Sequence, residues 1–183
     1  KNDWRCPHFL SDELASHLRK NLLALHKKKL LVAAGTGKDH ELSHDTEIRG
    51  DAIYWLDRAH DDKHENEFLD QIDDFVKYLN RSCFAGITHY EFHYSLYEAG
   101  TFYKKHLDQF LHNPKRKFSM ISYLNENWKE DDGGQLKIYQ SYNDKKITPV
   151  SGKGVFFKSD ELQHEVLVTN ERRMSITGWL KTG

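Results

Sequence analysis

The chain has 183 residues, with 27 Lys and Arg against 28 Asp and Glu. That length suffices for one hydrophobic core, and the balance leaves no overall positive field to attract nucleic acid. A mean hydropathy of -0.80 without a long apolar run argues against a membrane span or a signal peptide, while two isolated cysteines, Cys6 and Cys83, exclude a disulfide scaffold or a zinc finger and suit a reducing compartment. The expectation is one cytoplasmic domain over 1–183, with no nucleic-acid or membrane partner. Residues 1–86 supply helical support and a substrate-side loop, and 87–183 a β-rich core.

In chain order, Leu14, Leu18, Leu22 and Leu25 recur at helical spacing behind a Ser/Asp start, which predicts an amphipathic helix from Ser11 to about Lys29. Lys27, Lys28 and Lys29 fall in its last turn, where cations complement the helix dipole, and need no further role. Gly35–Glu47 is polar and contains glycine, so it reads as a long exposed loop before a strand over Ile48–Leu56. Phe68, Ile72, Phe75, Val76 and Leu79 form one apolar face and predict a second helix over Glu65–Leu79. The period then changes. Tyr90, Phe92, Tyr94 and Leu96 alternate with His89, Glu91, His93 and Ser95, the repeat of a half-buried strand.

Turn signals at Asn125–Asn127, Gly133–Gly134, Tyr142–Asp144, Ser151–Gly154, Ser159–Glu161 and Thr169–Glu171 cut the remainder into short strands. The pattern predicts a mainly β fold with supporting helices outside, a sandwich or a jelly roll (double-stranded β-helix).

His106-Leu107-Asp108 places an imidazole and a carboxylate on one face of an extended segment, and His164 lies on a later strand. Two histidines and one carboxylate make a facial triad that leaves metal positions open for oxygen chemistry. Among 12 histidines and 28 acids such a pattern also arises by chance, so its surroundings decide. Nine residues on, Arg173 opens a strand in which Arg173, Ser175, Thr177 and Trp179 share one face and Met174, Ile176 and Leu180 the other. Inside a barrel that arginine demands an anion: a dicarboxylate ligand, or else a protein acid, unless it is simply solvated. Tyr123 lies on the face of Ser119 and Ile121, where its hydroxyl can reach the same carboxylate. Tyr97 and Tyr103 are candidates for the mouth of the site, although each such tyrosine is by itself ordinary core packing.

The segment from Tyr97 to Trp179 resembles the prolyl-hydroxylase branch of the Fe(II)/2-oxoglutarate oxygenases, especially the hypoxia-inducible-factor type and its bacterial relatives. The resemblance rests on Tyr97, Tyr103, His106-Leu107-Asp108, Ser122-Tyr123-Leu124-Asn125, Gly133-Gly134-Gln135-Leu136, Val155-Phe156-Phe157, His164-Glu165-Val166 and Arg173 through Thr177 to Trp179. Upstream, Ile48-Arg49-Gly50-Asp51 and Trp55 resemble the family's substrate entrance. It implies iron at His106, Asp108 and His164. The far carboxylate of 2-oxoglutarate falls to Arg173 with Tyr123, and Tyr97 and Thr177 complete the cosubstrate set. Arg49, Asp51, Tyr103 and Trp179 are then expected at the substrate. It further implies molecular oxygen as co-reactant, ascorbate as reductant, a protein or peptide partner, and hydroxylation of a prolyl residue with release of succinate and CO2.

Two departures bear on substrate identity: the stretch between Tyr97 and His106 is shorter and less glycine-rich than in the hypoxia enzymes, and Gly178 stands where a β-branched residue is usual. Competing readings are the same chemistry on a small molecule, free amino acid or other side chain, and a non-catalytic jelly-roll binding module. The pairs His60/His64, His40/His44 and His89/His93 have four-residue spacing, but none carries the glutamate of a His-Glu-x-x-His site, and all are read as surface histidines.

Overall fold

Two helices grow from capped starts. The computed structural model describes residues 5–6, 8–35, 47–109 and 115–183. Helix α1 (Asp12–Lys27) begins where the Ser11 hydroxyl accepts from the Leu14 amide at 3.1 Å, with Asp12 and Glu13 at its positive end. Helix α2 (Lys63–Cys83) begins where the Asp62 carboxylate accepts from the His64 and Glu65 amides, and ends at Phe84 in the left-handed region, φ 50°. It outruns the Glu65–Leu79 expectation at both ends, because caps set a helix's limits while an apolar stripe marks only the part that packs.

The strands are β1 (Arg5–Cys6), β2 (Val32–Ala33), β3 (Asp51–Trp55), β4 (His89–Tyr97), β5 (Tyr103–His106), β6 (Arg116–Tyr123), β7 (Leu136–Ile138), β8 (Lys145–Ile147), β9 (Gly154–Lys158), β10 (His164–Val166) and β11 (Arg173–Lys181). They form a seven-stranded sheet, β1-β9-β6-β11-β4-β3-β2, and a four-stranded sheet, β5-β10-β7-β8. Named strand pairs are antiparallel throughout. The fold is the jelly roll of the sequence expectation. The strand expected over Ile48–Leu56 is confined to β3, and before it Arg49 meets the Tyr103 backbone in an isolated bridge. Of the expected loop Gly35–Glu47, residues 36–46 lie outside the described residues.

Both helices pack on one face of the large sheet. Leu14, Leu18, Leu22, Phe68 and Ile72 bury against Phe92, Tyr94 and Leu96 of β4 and Ile176 and Leu180 of β11. Burying each such side chain contributes about 1.5–3 kcal/mol. The opposite face, with Tyr97, Ile121, Tyr123, Val155 and Phe157, meets Leu136, Ile138 and Val166 of the small sheet. β4 is therefore covered on both sides from Phe92 onward, and the half-buried expectation is corrected. Its polar alternates face the gap between the sheets instead of solvent. Among the described residues no helix is long and apolar enough to cross a membrane.

Candidate active site

β5 and β10 run side by side with His106 opposite His164, and Asp108 follows two residues after His106. Ligand atoms of His106, Asp108 and His164 all lie within 4.8 Å of one another. His106 Nε2 stands 3.4 Å from Asp108 Oδ1, and His164 Nε2 3.6 Å from Asp108 Oδ2. Each histidine is aimed by its other nitrogen: Nδ1 of His106 donates to the Lys104 carbonyl at 2.7 Å and Nδ1 of His164 to the Leu162 carbonyl at 3.0 Å. Those bonds leave both Nε2 lone pairs facing the carboxylate, the arrangement a metal requires. Burial alone would raise the Asp108 carboxyl, but the His164 and His106 imidazoles outweigh it and hold the group far below the ordinary carboxylate range. Tyr103 stacks on the His106 ring at 3.6 Å, and Phe157 meets His164 edge-on. Three such groups with open space beside them suit Fe(II).

Across the gap, on the large sheet, Arg173 is 1% exposed. Its Nε donates to the Gly134 carbonyl at 2.8 Å and its Nη1 to Ser175 Oγ at 3.4 Å, while Nη2 is buried without a partner. Tyr123, partnered with Ser175 in the β6–β11 register, also buries a phenol with no partner. Burial pushes that phenol up to about 12, against the lowering by Arg173. Among the described residues no carboxylate pairs with Arg173, so neither the protein-acid nor the solvated alternative describes it. A buried cation and an adjacent orphan hydroxyl fit the distal carboxylate of 2-oxoglutarate. Tyr97 and Thr177 line the same recess.

The recess opens into a cleft of about 470 Å³ whose wall includes Arg49, Trp55, His93, Tyr103, Arg116 and Trp179 and which reaches His106 and Asp108. Arg49 forms a two-point ion pair with Asp51, Nε to Oδ1 at 2.6 Å and Nη2 to Oδ2 at 3.0 Å, and Ser95 Oγ donates to the same carboxylate. The Asp51 side chain is fully covered and lies behind Arg49, so it serves the cleft through Arg49, whose guanidinium sits 4.7 Å over Tyr103. The Arg116 guanidinium lies 3.5 Å over the Trp179 ring.

Residues 92–181 match the family model of the 2OG-Fe(II) oxygenase superfamily. A prolyl-4-hydroxylase from Pseudomonas putida is 32% identical with a TM-score of 0.88, over 98% of this chain and 91% of that one. The chain belongs to the 2OG-Fe(II) oxygenase superfamily. A prolyl hydroxylase from Trichoplax adhaerens, solved with a peptide fragment of the hypoxia inducible factor oxygen degradation domain, is 25% identical with a TM-score of 0.84, over 97% and 82% of the two chains. A collagen prolyl hydroxylase from Paramecium bursaria Chlorella virus-1, in complex with 2-oxoglutarate, shares the fold at 20% identity and a TM-score of 0.66, over 100% and 98%. The protein is thus a 2-oxoglutarate-dependent dioxygenase of the prolyl-hydroxylase branch, and Fe(II) and 2-oxoglutarate are its cofactor and cosubstrate.

Within this oxygenase, one histidine of the four-spaced pairs departs from the surface expectation, while His60 and His89 are exposed as expected. His60 pairs with Glu65 at 3.0 Å and His64 stacks on His17 at 3.9 Å, both far along the chain from the triad, and His40 and His44 lie outside the described residues. The surface reading of His93 is corrected: it is 1% exposed, on the cleft wall between Trp55 and Trp179. A signal for it was present, since His93 shares strand parity with Ser95 and Tyr97. The Gly134 carbonyl that orients Arg173 carried no side-chain signal at all.

Proposed function

We propose that this oxygenase hydroxylates a prolyl residue held in an extended peptide or protein segment, with iron at His106, Asp108 and His164 and 2-oxoglutarate anchored by Arg173 and Tyr123. The observation that carries the reading is the open cleft running past Trp55, Arg49 and Trp179 to the triad, in a chain 32% identical to a prolyl-4-hydroxylase. Iron with 2-oxoglutarate supplies the oxidation: the cosubstrate loses CO2 and becomes succinate, one atom of O2 entering succinate and the other the substrate C–H bond. The protein's part is placement. Nδ1 donation to backbone carbonyls sets the orientation of His106 and His164 so that each Nε2 points inward, and Asp108 brings the negative charge that a divalent ion needs. Arg173 and Tyr123 fix one end of the cosubstrate by charge-assisted hydrogen bonds, which sets the direction of its other end. Tyr97, Ile121, Leu136 and Val166 close the recess against water. Arg49, held by Asp51, whose carboxylate also accepts from Ser95, braces Tyr103 against His106 and forms the substrate side of the mouth.

The test is mass analysis of a degenerate peptide pool with one central proline, incubated with Fe(II), 2-oxoglutarate and air. A gain of one oxygen atom on proline, dependent on both additions, is expected. Oxygen incorporated only at non-prolyl residues, or turnover stimulated only by free amino acids or small molecules, overturns the prolyl reading and leaves the oxygenase.

A further inference from the structure

On the cleft wall two ring nitrogens stand ready as a complementary pair. His93 has one hydrogen bond, from Nδ1 to the Tyr94 carbonyl at 3.2 Å. A carbonyl can only accept, so in the neutral ring the proton sits on Nδ1 and Nε2 carries a free lone pair. The neutral ring prevails at physiological pH: burial, then the charge of Arg49 against that of Asp51, with Arg116 beyond, pushes the imidazole down to about 4. Two residues along the neighbouring strand, the Trp179 indole N–H is buried with no partner. The two rings meet edge to face with centroids 5.6 Å apart, and Trp55 closes on His93 from the other side at 4.9 Å. Both residues line the cleft, so its wall contains one acceptor residue and one donor residue in ring contact. An indole N–H left unpaired in a buried place is costly and calls for an acceptor from the ligand.

We propose that His93 and Trp179 read the peptide backbone of the substrate, His93 Nε2 accepting from an N–H and Trp179 Nε1 donating to a C=O of an extended residue beside the one that reacts. In an extended chain the N–H and C=O of one residue point the same way, so one residue satisfies both rings. Such a pair carries no side-chain selectivity. It recognises a secondary amide and discriminates against free amino acids, whose charged ends would have to shed water against two neutral groups. The inference rests on the peptide reading above but not on proline.

The experiment uses the Fe(II)- and 2-oxoglutarate-loaded protein under argon, with calorimetric titration by N-acetyl-prolyl-alanine N-methylamide. It is compared with depsipeptide versions in which each N–H in turn becomes an ester oxygen. One of these esters is expected to bind about three- to tenfold more weakly than the amide, the loss of one neutral hydrogen bond. The discrimination should vanish in His93→Leu and return in His93→Gln, whose side-chain oxygen also accepts. Trp179→Phe should weaken the amide probe by a similar factor. Equal binding of amide and all esters by the unaltered protein overturns the proposal, and needs no variant to fold. So does discrimination that survives in His93→Leu, absence of binding by any probe, or tighter binding of N-acetylasparagine carboxamide than of the peptide. N-acetyl-alanyl-alanine N-methylamide separates the two readings: His93-dependent discrimination with this probe, and no preference for proline, supports backbone reading while the prolyl assignment falls.

Discussion

Arg173 is held at two of its nitrogens and left open at the third, and the Tyr123 hydroxyl beside it is open as well. A charge-assisted bond to a carboxylate is worth roughly 1.5–3 kcal/mol, and leaving that carboxylate unpaired costs more. Arg173→Ala is expected to weaken 2-oxoglutarate binding about tenfold to a hundredfold in titration of the metal-loaded protein, with metal affinity retained. Arg173→Lys, which keeps the charge without the planar fork, should fall between the two. Unchanged affinity in Arg173→Ala would place the anchor elsewhere. Asp51 presents the opposite case, a charge already satisfied. Burial alone would raise its carboxyl, but Arg49 and the Ser95 hydroxyl hold it below its ordinary value. Its contribution to stability is therefore complete above the unfolded carboxyl value near 3.9 and is lost as pH falls through the lower folded value. Asp51→Asn should cost about 3–5 kcal/mol at neutral pH in denaturant unfolding, because it leaves Arg49 unpaired. The gap from the unaltered protein should narrow as pH drops below about 4. A gap that widened on acidification would contradict the pairing.

At the level of elements, β11 is the strand on which fold and site meet. One face, Met174, Ile176 and Leu180, lies on the helices, and the other carries Arg173, Thr177 and Trp179 into the recess. Gly178 explains itself here. A Cβ at this position would stand 2.3 Å from both the Glu91 carbonyl oxygen and a ring carbon of Phe92, so the Phe92 ring occupies the volume that any side chain here would need. Gly178→Ala is expected to destabilise by about 1–3 kcal/mol or more through overpacking, read as a lowered urea midpoint. A neutral effect would mean that Phe92 moves freely, which its packing between Phe68 and Tyr90 opposes. Sequence periodicity located this strand and both its faces correctly, and it found both helices. It did not find the helix ends, which depend on Asp62 and Phe84, nor the covering of β4 on its polar side, which depends on a sheet whose strands lie far along the chain.

Taken whole, the molecule divides its candidate site between two sheets: the small one brings His106 and His164, the large one Arg173 and Tyr123. Ligands that bridge the gap should therefore stabilise the fold as a unit. At about a hundred times its dissociation constant each ligand adds roughly 2.7 kcal/mol. For a chain of this size that is about 5–10 °C in Tm. Metal and 2-oxoglutarate are expected to raise Tm in two increments, the second abolished in Arg173→Ala and both abolished in Asp108→Ala. A 2-oxoglutarate increment that survives Arg173→Ala would separate the cosubstrate from the large sheet. The sequence by itself determined the chemistry on offer: the spacing of His106, Asp108, His164 and Arg173, the mixed polar face of β11, and a β-rich fold behind two amphipathic helices are all local patterns in residue type. Only the tertiary structure decided which charges are already answered. Asp51 answers Arg49 and, among the described residues, no acid answers Arg173, although each arginine lies at or just before the start of a strand. It likewise turned His93 from a surface residue into a wall of the cleft. Burial and partnership are properties of what packs from elsewhere, and no period along one strand encodes them.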